Sequence, residues 1–64
     1  MENEVTNLLN NMAEQFQDAM NDAEKFTSGN NSAGTRVRKA MQNIKNLAQQ
    51  VRIEVQEQKN SVTA

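Results

Sequence analysis

Sixty-four residues with no cysteine, histidine or proline amount to one small domain, and they exclude disulfides and the common zinc ligands as its source of stability. A hydrophobic fraction of 36% is low for a self-sufficient core, which leaves association with a partner chain as the remaining route to a stable fold. A formal net charge of −1 argues against a strongly basic nucleic-acid binder, but the charges are divided along the chain. Residues 1–28 carry Glu2, Glu4, Glu14, Asp18, Asp22 and Glu24 against Lys25, whereas residues 29–64 carry Arg36, Arg38, Lys39, Lys45, Arg52 and Lys59 against Glu54 and Glu57. Such a division makes a dipolar molecule whose second half can face a polyanion.

The chain opens on Met1-Glu2-Asn3-Glu4, an acidic start followed by no continuous apolar run, so no secretory leader is expected there. No stretch approaches the roughly 20 apolar residues of a membrane span, and no membrane partner is expected. In the first segment Val5, Leu9, Met12, Phe16, Ala19, Ala23 and Phe26 recur at alternating spacings of four and three, which predicts a helix over about 3–28 with a heptad seam. Leu8, Ala13 and Met20 widen the apolar stripe, so this helix can touch more than one neighbour. Asn7, Asn10, Asn11, Glu14, Gln17, Asp18 and Asn21 fill the opposite face as solvated polar residues.

The pattern breaks at Gly29-Asn30-Asn31. Glycine closes a helix in the left-handed conformation, and an asparagine side chain accepts the first free amides of the next helix, so residues 29–31 are read as a tight turn. A short link of this kind folds two helices back on each other.

The second segment repeats the design with Val37, Ala40, Ile44, Leu47 and Val51, flanked by Met41, Ala48 and Val55, and predicts a helix over about 31–59. Beyond Val51 the seam positions become Glu54 and Gln58. The stripe is therefore expected to weaken or to shift toward Val55 and Val62, with residues 60–64 fraying. The two halves do not match in sequence and are not a repeat.

Catalytic constellations are missing. Ser28, Ser32 and Thr35 have no histidine beside them to act as a base, Asp18 and Asp22 lie one turn apart without a pocket, and Gly29 and Gly34 are wrongly spaced for a phosphate loop. No enzyme, metal or cofactor is expected. Phe16 and Phe26 belong to the seam rather than to a base-stacking platform, and Met12, Met20 and Met41 read as adaptable packing.

One pattern stands out: Arg38, Lys45, Arg52 and Lys59 recur every seven residues. Each step is about 10.5 Å of helix, so the row is about 31 Å long, and Lys39 and Arg36 are expected to thicken it near the turn. A ridge like this can neutralise phosphates along a duplex without reading bases. It equally suits an outer surface that attracts the acidic helix of a neighbour.

Gly29-Asn30, Ala33-Gly34-Thr35-Arg36 and Arg38-Lys39-Ala40, followed at helical spacing by Ile44, Leu47 and Arg52, resemble the bacterial linker-histone-like proteins of chlamydiae and Bacteroidetes. The resemblance covers nearly the whole chain, and Gly-Asn to Arg-x-Arg-Lys is its specific part. It implies a nucleoid-associated cytoplasmic protein that binds double-stranded DNA with little sequence preference and helps to organise and compact the chromosome. Arg36, Arg38, Lys39 and Arg52 are the matching positions that would inherit the role, and Lys45 joins them on its place in the row. Relatives often carry lysine where this chain has Asn46, Gln49 and Ile53, so contact per protomer is expected to be weak.

The expected architecture is all-α: residues 1–64 form one antiparallel two-helix hairpin that assembles into a homo-oligomeric, coiled-coil-like bundle. The expected function is histone-like binding of DNA phosphates through Arg36, Arg38, Lys39, Lys45 and Arg52. The alternative is a small helical scaffolding module without strong DNA binding. The two differ in whether the basic row stands on the outside of the assembly or is covered by acidic faces.

Overall fold

A computed structural model describes the backbone of residues 3–63 and the side chains of residues 3–61. Two helices make up the chain, α1 over Glu4–Thr27 and α2 over Asn31–Thr63, and they pack side by side as an antiparallel hairpin. Asn3 starts α1: its Oδ1 accepts the Val5 amide at 2.8 Å, and Glu4 places a negative charge against the positive end of the helix.

The turn closes α1 through backbone hydrogen bonds and opens α2 through a side-chain cap. The Gly29 amide donates to the Phe26 carbonyl and the Asn30 amide to the Lys25 carbonyl, each at 3.0 Å, while Gly29 sits at φ +106°. This is a Schellman closure, in which the residue after the cap adopts the left-handed conformation. Asn30 then caps α2, its Oδ1 accepting the Ala33 amide at 3.2 Å.

Packing between the helices is thin. Among the described residues only Leu8, Ala19, Ala33 and Leu47 are buried, and two of these four are alanines with little area to contribute. The inward row of α1 runs Val5, Leu8, Met12, Gln15, Ala19 and Asp22, all buried or half-buried. This corrects the expected seam: Leu9 and Phe16, placed in it by periodicity, are 49% and 55% exposed, and Ala23 is exposed as well. Rows 5/12/19 and 8/15/22 border the hairpin contact. Row 9/16/23 lies just past it, because the apolar arc is wider than one neighbouring helix can cover.

On α2 the inward rows are Ala33, Ala40, Leu47 and Glu54 beside Val37, Ile44, Val51 and Gln58. Of the two expected outcomes, a weaker stripe and a shifted one, the first is found. The seam does not shift toward Val55, which is 39% exposed, but continues through Glu54 and Gln58 as a polar lock. Gln58 Nε2 donates to Glu54 Oε1 at 3.2 Å and to Asn3 Oδ1 at 2.9 Å, and Asn3 Nδ2 donates back to Gln58 Oε1 at 3.0 Å. The start of α1 is thereby pinned to α2. Val62 and Ala64, named in the sequence expectation, lie outside the described side chains and backbone respectively. Helix α2 continues to Thr63 rather than ending near residue 59, with Gln56 Nε2 donating to Asn60 Oδ1 at 3.2 Å across one turn.

Near the turn, the Phe26 ring packs against α2 where Gly34 leaves room for it. A Cβ at position 34 would stand 2.7 Å from the ring carbons, so the glycine is there for close approach, not for a turn. Replacing Gly29 by valine forces a β-branched residue to φ +106° and should destabilise the fold by about 1–2 kcal/mol. Urea melts of wild type and Gly29→Val at equal protein concentration check this, and coincident melts would contradict the capping role.

Candidate nucleic-acid interface

The hairpin has two unlike broad faces. On one, Ala23 and Phe26 of α1 meet Gly34, Val37 and Arg38 of α2 around a shallow apolar depression. On the other, Gln15 and Asp18 meet Arg36, Lys39, Ala40 and Asn43. These groupings fix the rotation of both helices. At about 100° per residue, Leu9, Phe16 and Met20 follow Ala23 on the first face, and Met41, Ala48 and Val55 follow Gly34.

Arg38, Lys45, Arg52 and Lys59 form the next row outward on α2, along the edge of the apolar face, and all four are exposed. Among the described residues no ion pair engages them. Lys39 and Arg36 do not thicken this row. Lys39 lies about 100° around the helix from it and Arg36 about 160°, and both stand with Gln15 and Asp18 on the polar face.

Arg36 is further set apart by a partner. Its Nε donates to Asp22 Oδ1 at 3.0 Å, with side chains 48% and 18% exposed, in an ion pair that crosses between the helices. The sequence reading takes Asp22 only as a carboxylate one turn from Asp18 and misses this role. The signal was available: Asp22 and Arg36 each stand seven residues from Gly29, and an antiparallel hairpin turning there brings equidistant residues to one level. At this exposure the pair holds little folding energy, but it commits one of the five expected phosphate contacts to an intramolecular carboxylate.

The five candidate residues thus divide. Arg38, Lys45 and Arg52 share one row, extended by Lys59; Lys39 is exposed alone on the outer edge of the polar face; Arg36 is paired. Over about 31 Å the row of four matches about nine base pairs of duplex at 3.4 Å per step, close to one helical turn of DNA. Lysine ends are compact point charges and arginine ends planar forks, a chemistry suited to phosphate oxygens. Phe26, half-exposed, lines the depression that Arg38 borders at the turn end of the row.

Nothing else in the described residues resembles a reaction centre. No group of three or more histidine, cysteine, aspartate or glutamate side chains could hold a metal, and no helix is long and apolar enough to cross a membrane.

Neither the curated proteins nor the solved structures contain a significant match. The family profile described as histone H1-like protein Hc1 matches residues 6–61, which takes in both helices, the Gly29 turn and the whole basic row. With most of its length matched, the chain belongs to the histone H1-like Hc1 family, a family of histone-like DNA-binding proteins and not one of enzymes.

Proposed function

We propose that this chain is a nucleoid-associated protein of the cytoplasm that binds duplex DNA through phosphates, without reading sequence, and compacts it as a homo-oligomer. The observation that carries this reading is the exposed row Arg38, Lys45, Arg52 and Lys59 on a chain of a histone-like family. Evenly spaced cations on a straight helix present no donor pattern matched to base edges, so the row is suited to counterion release rather than to sequence readout. Lys39 adds a contact from the neighbouring edge, and Arg36 contributes only when it leaves Asp22.

Self-association supplies what one hairpin lacks. Three or four phosphate contacts bind weakly, and a protein with net charge −1 gains little long-range attraction to DNA. A second protomer on the same assembly engages DNA at high effective concentration and multiplies a weak contact into useful avidity.

A salt-titrated shift assay on duplexes of unrelated sequence tests the reading. Affinity should be the same for all duplexes, and log affinity should fall linearly with log salt at about −0.9 per phosphate neutralised. Replacing Arg38, Lys45 and Arg52 together by glutamine should flatten that slope by about three per protomer engaged, with helicity by circular dichroism unchanged. An unchanged slope, or no binding by wild type at about 20 mM salt, favours the scaffolding alternative, since binding by counterion release is strongest there.

A second variant probes the paired arginine. Asp22→Asn removes one negative charge and frees Arg36, so the slope should steepen by up to about one per protomer while the unfolding free energy changes by less than about 1 kcal/mol. A slope equal to wild type would take Arg36 out of the DNA contact.

A further inference from the structure

The hairpin leaves more surface uncovered than a finished small protein does. Its accessible surface is 5105 Å², whereas a compact monomer of 7.2 kDa exposes about 4100 Å² by the area–mass relation, an excess of about 1000 Å². A stable protein interface takes about 800 Å² from each partner. The excess is not spread evenly: of the seven large exposed hydrophobics among the described residues, Leu9, Phe16, Met20, Phe26, Met41 and Val55 are on the face that carries the Phe26–Gly34 depression, and Ile53 is off it. The opposite face is polar, with Gln15, Asp18, Arg36 and Asn43 on it. Phe16 and Leu9 sit nearer the middle of the apolar arc of α1 than Gln15 and Asp22 do, so the face left open is more apolar than the one the hairpin closes.

Two copies can lay these faces together in two symmetric ways, and charge selects between them. If the two-fold axis runs across the helices, α2 stacks on the α2 of the other copy, and two rows of four cations meet along one edge. Like charges held together in this way oppose assembly. If the axis runs along the helices, α2 stacks on the other copy's α1, whose outer edge is Asn10, Gln17 and the partner's Glu24. The alkyl stems of Arg38 and Lys45 then lie level with Met20 and Ala13 of the partner subunit, their charged ends reach water, and the partner's Glu24 stands about 6 Å along the axis from the level of Arg38, on its turn side.

We infer that the protein is a dimer of hairpins joined through this apolar face with both turns at the same end, and that the two basic rows consequently stand on opposite sides of the four-helix bundle. Resting on the DNA-binding reading above, this geometry makes the dimer a bridge: each row takes a separate duplex. Compaction then proceeds by joining DNA segments rather than by coating one of them. The same symmetry leaves both polar faces outside, where Lys39 and the Arg36–Asp22 pair meet solvent.

Two measurements on the full chain test it. Spin labels on Ser32→Cys, an exposed position in the first turn of α2, should lie about 30 Å apart across the bundle, from interaxial spacings of 8–10 Å plus the label arms. Turns at opposite ends of bundles built from hairpins 54 Å long would place them about 45 Å or more apart, and that result overturns the arrangement. The second measurement uses bead-bound duplex, protein and a second, labelled duplex in solution. Capture of the labelled duplex by protein-loaded beads at least tenfold above beads without protein supports the bridge. Protein held on the beads without capture refutes the bridge but leaves DNA binding standing, whereas protein not held at all refutes the DNA reading itself. Phe16→Asp should lower self-association at least tenfold by sedimentation, and Asn10→Asp, on the outer edge of α1, should not. A folded wild-type monomer at micromolar concentration, or one that instead binds vesicles of anionic lipid through this face, overturns the dimer.

Discussion

The width of the apolar arc on α1 governs this molecule. Val5, Met12, Ala19 and Phe26 run down its middle, with Leu9, Phe16 and Ala23 on one side and Leu8, Gln15 and Asp22 on the other. A single antiparallel neighbour can cover only one side, and the one it covers contains a glutamine and an aspartate. The hairpin closes on the poorer half of its own hydrophobic surface, leaving the richer half outside. Its thin seam and its open face have that one cause.

Local chemistry compensates by making the hairpin geometry definite where packing is weak. At the closed end a Schellman turn, the Asn30 cap and the Phe26 ring on Gly34 set the approach of the helices. At the open end the paired amides of Asn3 and Gln58, with Glu54, tie the start of α1 to α2. The Arg36–Asp22 pair fixes register between them. These bonds are mostly solvent-exposed, so each adds specificity of alignment more than free energy. Alignment also decides where the basic row stands, since rotating α2 by one residue would carry it about 100° away from the edge of the apolar face.

Cations on this chain are consequently sorted by the helix surface they occupy. Seven-residue spacing holds Arg38, Lys45, Arg52 and Lys59 in one row whatever the helix packs against, and the row borders the apolar face because Gly34, Met41, Ala48 and Val55 stand one step nearer the seam. Arg36 and Lys39, adjacent in sequence to Arg38, turn to the other face. A phosphate-binding surface assembled from sequence neighbours would have mixed the two sets. Dispersal of this kind is invisible in a net charge of −1.

The amino-acid sequence by itself determined the two helices, the turn at Gly29 and the basic row, because each depends on periodicity or on one residue's backbone preference within a few positions. Family membership was legible in the same residues, from the Gly-Asn turn to Arg36-Val37-Arg38-Lys39. Which side of a wide apolar arc meets the other helix was not, since rows 8/15/22 and 9/16/23 both satisfy a four-three repeat. Only the tertiary structure put Leu8 inside and Phe16 outside, kept the seam on Glu54 and Gln58, and joined Arg36 to Asp22. Those outcomes depend on the mutual rotation of two helices, which is decided jointly by both inner faces and the turn, and by neither helix alone.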